Sequence, residues 1–458
     1  MKDIAGLIIA GGYSSRMGDF KPLLPVKGKP LIQDRILSMA KADISPIFVV
    51  TGHRKDELEA IIEDIKSQIS PEIQVAIVYN PDYDKGMFTS IKAGVEIISE
   101  YSEKASEKTI KKASVEAING IILLPVDYPL INESHYKKLY EAWLSKPEDF
   151  AVPCYYGKKG HPLLIPMRAW DEIISYMGNK GLKGITNEYE DRDEILRVEM
   201  NDERVLLDMD TPKDYNTILE WNPKDTVESR ILGFKGRLFL VRHGETELHK
   251  EKIFLGQTDV PLSEIGKKQA VNVAKELSGW KLKEPLLLSS DLSRARESAE
   301  IIRDNIRLID LETRDIGEAN SQSQNTKIQN SQEGNQSTKC PARCLDIIEE
   351  TAFRELNLGT WDGQYISKIK AERLEEYEKR GLNLLAYKSG YEGENFYDLQ
   401  YRVMKRLGDY MKEYPSGDLI LVAHSGGIRI ILCNLLGIPL EEMKNFFVPR
   451  GSLNLVSF

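Results

Sequence analysis

Ile4-Ala5-Gly6-Leu7-Ile8-Ile9-Ala10-Gly11-Gly12-Tyr13-Ser14-Ser15-Arg16-Met17-Gly18-Asp19-Phe20-Lys21 is the stretch on which the fold of the first half of the chain turns. Its apolar start is too short to cross a bilayer. Gly6 to Ala10 within it has the length of a strand buried on both faces. Gly11 and Gly12 follow at once and let the backbone approach a ligand closely. Exposed N–H groups in such a loop cradle phosphate oxygens. Arg16 and Lys21 add positive charge where a polyphosphate would lie. The loop is not a Walker A motif, because the spacing differs and no Lys-Ser/Thr pair follows.

Working outward, the apolar runs Ile47 to Thr51, Val75 to Tyr79, Ile121 to Val126 and Phe150 to Pro153 also read as buried strands. Ile32–Ala42 and Glu57–Ile69 carry apolar residues at helical spacing. Strand–helix alternation predicts a mostly parallel sheet covered by helices. The pattern restarts at Leu238-Phe239-Leu240-Val241, with Pro285–Ser290, a helix from Arg294 and Leu419–Ala423 following. The expectation is α/β: two three-layer α/β/α domains, each with a mostly parallel sheet. Glu220 to Gly236 contains Pro223 and two glycines and lacks an apolar period. The linker is placed at 223–236, between domains at 1–222 and 237–458. Ligands of such sheets bind at the carboxyl ends of the strands, so the loops there are the candidate sites.

At 458 residues, 41% hydrophobic and 29% charged, the chain has the composition of a soluble globular protein. A net charge of -9 argues against a general nucleic-acid or membrane surface. No signal peptide or spanning segment is evident, which predicts a cytoplasmic protein. Four cysteines make no disulfide framework. Cys154 and Cys433 read as small core residues. Cys340 and Cys344 lack the second Cys/His pair a zinc site needs. His53 and His135 flank helices and read as surface residues. The stretch 319–345 is rich in Asn, Gln and Ser and reads as a disordered insertion.

The complete glycine string resembles the signature of the MobA-like nucleotidyltransferases that build molybdopterin guanine or cytosine dinucleotide. The resemblance covers roughly Lys2 to Leu219. It assigns Ala10, Gly11, Gly12, Ser14, Ser15 and Lys21 to the nucleotide, and Arg16 and Lys21 to catalysis. Asn80-Pro81 and Gly86-Met87-Phe88-Thr89-Ser90 look like the nucleotide-recognition loop, which makes Asn80 and Ser90 binding residues. Leu124-Pro125-Val126-Asp127-Tyr128-Pro129 resembles the family's Asp-x-Pro, whose aspartate holds Mg²⁺. Leu207-Asp208-Met209-Asp210-Thr211-Pro212 resembles its terminal Asp-Thr-Pro. The resemblance thus implies a Mg²⁺ cofactor on Asp127 and Asp210, with Asp208 as the alternative to Asp210. Standing alone, Asp127 would equally suit a helix N-cap. Gly160-His161-Pro162 looks like a motif near the acceptor, with a loop role as the plainer reading of His161. Ala10-Gly11-Gly12 matches the guanylyl branch and Lys21 to Pro25 the cytidylyl branch, so the nucleotide is GTP or CTP.

In the second half Arg242-His243-Gly244-Glu245-Thr246 follows a strand. Gly256-Gln257-Thr258-Asp259-Val260-Pro261-Leu262-Ser263, Ser289 to Arg296, Phe353-Arg354-Glu355-Leu356 and Ala423-His424-Ser425-Gly426-Gly427 come after it. A histidine nucleophile needs a neutral imidazole beside cations that hold a phosphoryl group. From about Arg237 to Phe458 the chain resembles the histidine phosphatase, or phosphoglycerate-mutase-like, superfamily. The resemblance implies His243 as nucleophile and Glu355 as general acid, then base. It puts Arg242, Gln257, Arg294 and His424 on the phosphate, and no metal cofactor. His249 stands where many members place a phosphate-contacting asparagine. A surface salt bridge is the bland alternative for Arg294, and a core histidine for His424. The chain stops soon after its last strand, without the closing segments of mutases, which predicts a hydrolase.

The pair predicts a bifunctional enzyme acting on a nucleoside triphosphate and on phosphorylated small molecules, a molybdopterin-like acceptor among them. The alternatives are cobalamin nucleotide-loop assembly (cobinamide-phosphate guanylyl transfer plus α-ribazole phosphate hydrolysis), or one domain serving as a non-catalytic regulatory module.

Overall fold

The computed structural model describes residues 1, 3–26, 28–109, 118–222, 224–248, 251–306 and 345–458. The expected insertion at 319–345 lies outside them but for Leu345, as do His249, Cys340 and Cys344. The chain divides into two compact units, Met1–Ser229 and Arg230–Phe458. Val227–Gly233, inside the stretch assigned as linker, is helical.

The strands of the first unit are β1 (Ile4–Ile9), β2 (Pro25–Val26), β3 (Lys29–Pro30), β4 (Ile47–Thr51), β5 (Val75–Tyr79), β6 (Gly120–Pro125), β7 (Phe150–Tyr155), β8 (Lys158–Lys159), β9 (Leu163–Pro166) and β10 (Ile195–Glu199). The main sheet runs β10-β7-β9-β6-β1-β4-β5, with β8 on β7, while β2 and β3 form a small hairpin. β6, β1, β4 and β5 are mutually parallel, and β9 is antiparallel to both its neighbours. Successive residues of β1 face opposite sides. Leu7 packs so closely on Gly94 of the helix Met87–Thr109 that a Cβ there has no room. Gly6 faces Met39 of the helix Leu31–Lys41 on the other side. Helices thus cover both faces, which is why β1 is apolar throughout.

Register brings the loops together. Ile9 lies opposite Val50 of β4 and Pro125 of β6. The ladder runs one step further, with Ala10 N donating to Val50 O and Val126 N to Ile9 O. The loops that begin at Ala10, Gly52 and Val126 therefore leave the sheet side by side.

The second unit contains β11 (Arg237–Arg242), β12 (Leu286–Ser289), β13 (Ile347–Glu349), β14 (Asp418–Ala423) and β15 (Leu453–Ser457), in the order β13-β12-β14-β11-β15. All pairings are parallel except β15 on β11. Phe239, Val241, Ile420 and Val422 pack on Val273, Ala274 and Leu277 of the helix Glu264–Ser278 and on Ala295, Ala299 and Ile302 of the helix Ser293–Asn305. The alternate residues Leu238, Leu240, Leu419 and Leu421 are buried as well. The helix Ser425–Leu436 packs against β11 and against the helix Phe396–Glu413.

Candidate active sites

The first site lies at the carboxyl ends of β1 and β6. Lys21, drawn in from the glycine loop, is buried. Its Nζ lies 3.1 Å from Asp127 Oδ2 and 2.6 Å from Asp210 Oδ1. Arg16, exposed on the same loop, reaches the other oxygen of Asp210 at 2.7 Å. Burial lowers the Lys21 pKa, but Asp210 and Asp127 outweigh it and the net shift is upward, so the ammonium stays charged. Met209 N donates to Asp127 O at 2.9 Å, which seats the 207–212 segment beside β6. Asp208 is raised by burial and by the charges of Asp210 and Asp127. Asp127 caps no helix; its carboxylate accepts from Lys21.

Ser14 Oγ accepts from Lys21 N at 3.0 Å and holds the loop in its curled form. Gly11 is seated so close to the end of β4 that an added Cβ would lie 3.2 Å from Gly52 N. Gly12 and Ser15 are exposed, Ala10 is buried. Asn80 and Ser90 are both buried. Asn80 Nδ2 donates to Ser90 Oγ and Thr89 Oγ1, each at 2.9 Å, and these bonds tie the loop after β5 to the helix Met87–Thr109. His161 packs on Tyr128 with ring centroids 4.3 Å apart. Burial pushes its pKa down to about 4. Its Nδ1 has no hydrogen-bond partner among the described residues.

Two histidines depart from the surface positions expected of them. His135 is buried, because its Nδ1 lies 2.8 Å from Asn132 Oδ1 and its Nε2 3.1 Å from Asp202. Its polar atoms are satisfied inside, so burial costs little. His53 is half-buried and packs on Tyr13, Phe20 and Tyr83 beside the glycine loop.

The second site lies at the carboxyl ends of β11, β12 and β14. His243 Nδ1 lies 2.7 Å from Gly244 O. A carbonyl can only accept, so the proton sits on Nδ1 and Nε2 carries the lone pair. Burial and then the charge of Arg294 hold the His243 pKa well below its ordinary value, so the ring is neutral. His424 is its ring neighbour, with centroids 5.1 Å apart. Burial and Arg294 depress that pKa too, and His424 Nε2 is bonded to Ser290 Oγ at 2.9 Å. A Cβ on Gly244 would strike the Gly266 carbonyl, so the turn after the nucleophile requires glycine.

Arg294 is buried rather than salt-bridged at the surface. Its NH1 and NH2 donate to Thr258 O at 2.9 Å and Gly256 O at 2.6 Å. Arg242 NH1 donates to Val448 O at 2.6 Å. Burial, with Arg450 as its strongest charged neighbour, lowers the Arg242 pKa to about 10. Glu355 Oε2 accepts from Gly426 N at 3.2 Å, and its charge acts on both Arg242 and Arg294. Gln257 Nε2 reaches Glu355 O at 3.0 Å.

Several supporting residues were not legible in advance. Asp362 accepts from Gly256 N, Gln257 N, Thr258 N and Thr258 Oγ1 and so shapes the loop that holds Arg294. Arg402 donates to the carbonyls of Ala352, Arg354 and Glu355 and thereby orients Glu355. Gly359, Trp361 and Asp362 form an ordinary-looking loop sequence that carries no recognisable spacing.

Comparison with known proteins identifies the two units separately. Residues 6–193 match the family model of the MobA-like NTP transferase domain. Residues 238–333 and 335–458 match that of the histidine phosphatase superfamily (branch 1). The chain is similar to the molybdenum cofactor cytidylyltransferase of Escherichia coli (strain K12), 27% identical over 225 residues, spanning 48% of this chain and 97% of the relative. It is also similar to a Yersinia pestis (strain Pestoides F) protein named "Probable phosphoglycerate mutase GpmB", 27% identical over 223 residues, spanning 48% of this chain and 85% of the relative. Among solved structures, the alpha-ribazole phosphatase from Shigella flexneri aligns with a TM-score of 0.37 and 22% identity over 48% of this chain and 89% of that one. Among the described residues no helix is long and apolar enough to cross a membrane. The chain therefore joins a MobA-like NTP transferase domain to a domain of the histidine phosphatase superfamily.

Proposed function

We propose that the first unit transfers a cytidylyl group from CTP to a phosphorylated cofactor precursor of molybdopterin type and releases pyrophosphate. The observation that carries this reading is the convergence of Lys21 with Asp127 and Asp210 beneath the glycine loop. The similarity to a cytidylyltransferase favours CTP over GTP. In this reading an acceptor phosphate oxygen attacks the α-phosphorus, and the bond to the pyrophosphate oxygen breaks. The backbone of Gly11 and Gly12 orients the triphosphate, while Lys21 and Arg16 neutralise charge on the pyrophosphate as it departs.

Two carboxylates within reach of one ammonium form a donor set that suits Mg²⁺ completed by phosphate oxygens. Asp127 and Asp210 would hold the ion; among the described residues no group of three or more metal-ligating side chains converges. Bound there, Mg²⁺ would supply Lewis-acid polarisation of the phosphate oxygens.

The second unit, in the same reading, hydrolyses a phosphomonoester. The free Nε2 of His243 attacks phosphorus, and Glu355 protonates the leaving alkoxide. Glu355 then takes a proton from water as its oxygen displaces His243 and frees inorganic phosphate. Arg242, Arg294 and His424 hold the non-bridging oxygens.

The full chain tests both halves. Pyrophosphate release is measured with each of the four nucleoside triphosphates and molybdopterin as acceptor, and p-nitrophenyl phosphate hydrolysis is followed separately. Release with CTP is expected to exceed that with the other three. Equal release with all four, or none, overturns the assignment for the first unit. An enzyme that never becomes phosphorylated at His243 overturns that for the second.

A further inference from the structure

Two neighbouring strand ends in the second unit bring a serine against a histidine. β12 and β14 are parallel, with Ser289 opposite Val422. Ser290 N donates to Val422 O at 3.0 Å, which carries the pairing one residue past β12. Ser290 is therefore held beside the end of β14, where His424 follows. Both side chains are fully buried. Ser290 Oγ and His424 Nε2 lie 2.9 Å apart.

Counting protons at this pair decides which group donates. His424 is neutral, held so by burial and by Arg294, so one ring nitrogen carries a proton and the other a lone pair. Leu292 N donates to Ser290 Oγ at 3.3 Å. With the ring proton on Nε2, Ser290 Oγ would receive two donors. Its own hydroxyl hydrogen would then have no acceptor among the described residues, and the Nδ1 lone pair would be bare as well. With the proton on Nδ1, the hydroxyl accepts from Leu292 N and donates to Nε2. Buried polar groups without partners are costly, so the arrangement that leaves fewer of them prevails.

One group is then left over, the Nδ1–H of His424, which has no partner among the described residues. The carboxylate of Glu355 does not take it up. Glu355 Oε1 accepts from Leu356 N at 3.0 Å and Oε2 from Gly426 N at 3.2 Å. Arg242 Nε and Arg294 Nε are likewise buried and unpartnered. The pocket thus keeps donors free, and an arriving phosphoryl oxygen satisfies them.

We propose that Ser290 is a positioning residue of the phosphatase site: its hydroxyl donates to His424 Nε2, fixes the imidazole as the Nδ1–H tautomer, and so presents a neutral N–H donor to a non-bridging oxygen of the phosphoryl group. The proton stays on Nδ1 throughout. The proposal rests on the phosphatase reading of the second unit.

Ring ¹⁵N spectra of the full chain test it first, and six histidines keep such spectra readable. The His424 signals are the set that His424→Gln loses. Wild-type protein should show His424 protonated on Nδ1, and Ser290→Ala should turn this into a mixture of both tautomers. Competitive inhibition of p-nitrophenyl phosphate hydrolysis by orthovanadate, a phosphoryl mimic, is the second readout. Ser290→Ala should weaken it about tenfold, the worth of one hydrogen bond to a charged group. Ser290→Thr keeps the hydroxyl and should retain both the tautomer and the inhibition. A purely structural loss, such as the acceptor of Leu292 N, would leave the tautomer as it is. Wild-type protein with the His424 proton on Nε2 overturns the proposal without any variant having to fold. An unchanged tautomer in Ser290→Ala overturns it too, as does unchanged vanadate inhibition. Wild-type enzyme that hydrolyses no p-nitrophenyl phosphate overturns the phosphatase reading itself, and with it the place of Ser290 in the reaction.

Discussion

Lys21 Nζ lies 2.6 Å from Asp210 Oδ1, across 189 positions of sequence. Asp127 shares the same ammonium. Lys21→Met leaves Asp127 without the ammonium and Asp210 with Arg16 alone, and in the proposed reading it removes the charge that meets the departing pyrophosphate. Nucleotidyl transfer should fall by about a hundredfold or more, read as pyrophosphate release. A methionine variant with wild-type turnover would reduce Lys21 to a structural counter-ion.

Asp127→Asn and Asp210→Asn should each weaken Mn²⁺ binding, used as a spectroscopic stand-in for Mg²⁺, by at least about tenfold, because ligand charge sets the affinity of such sites. Electron paramagnetic resonance counts free Mn²⁺ without reference to activity. Asp208→Asn should leave the binding within about twofold, since Asp208 lacks the direct bond to Lys21 that Asp210 has. The reverse ranking of Asp208 and Asp210 would move the site by two residues.

Glu355→Gln should trap the phosphorylated enzyme. The variant keeps its shape at Gly426 N but supplies no proton and accepts none. Turnover of p-nitrophenyl phosphate should drop by ~10²–10⁴, with acid-labile label accumulating on the protein. His243→Gln should abolish that label. Label that persists in His243→Gln would put the nucleophile elsewhere.

Asp362→Ala should cost about 2–4 kcal/mol of stability in the second unit, since four donors lose their acceptor. Phosphatase KM should rise in the same variant, because Arg294 is held by the carbonyls of that loop. Chemical denaturation and steady-state kinetics check the two effects independently. Wild-type values of both would show that the loop stands without its clamp.

His243 and His424 should remain neutral as the pH falls from 8 through 6.5, visible as constant ¹⁵N ring shifts. Burial and Arg294 depress both. The unfolded chain protonates its histidines near the ordinary value of 6.5, so below that pH it binds more protons than the folded state. Stability from these two groups is therefore complete above pH 6.5 and is lost progressively as the pH falls below it. A ring titrating near 6.5 would mean that solvent reaches the pocket.

Much of the fold was legible because its central strands are short apolar runs that end in glycine or in motif residues. β1, β4, β5 and β6 fall within a residue or two of the runs read from sequence. β9 was not legible. Leu163-Leu164-Ile165 is too brief between Pro162 and Pro166 to show a period, and it becomes a strand only by pairing with β6 and β7. β15 gave no sign for a similar reason, since its pairing with β11 is antiparallel at the sheet edge. His135 looked like a surface residue because nothing local shows that Asp202 waits for its Nε2.

The sequence alone determined which residues could bear the chemistry, since strand-end loops and motif spacings are written within a dozen or so consecutive positions. Only the tertiary structure decided which of them meet. Opposing Ile9 to Pro125 across the β1–β6 ladder is what delivers Lys21 to Asp127. A clamp such as Asp362 on the Gly256–Thr258 loop, or the hydrogen bond from Gly451 N to His243 O, depends on long-range register. Local side-chain pattern carries hydrophobic period and turn chemistry, but it holds no record of which distant backbone a loop will lie against.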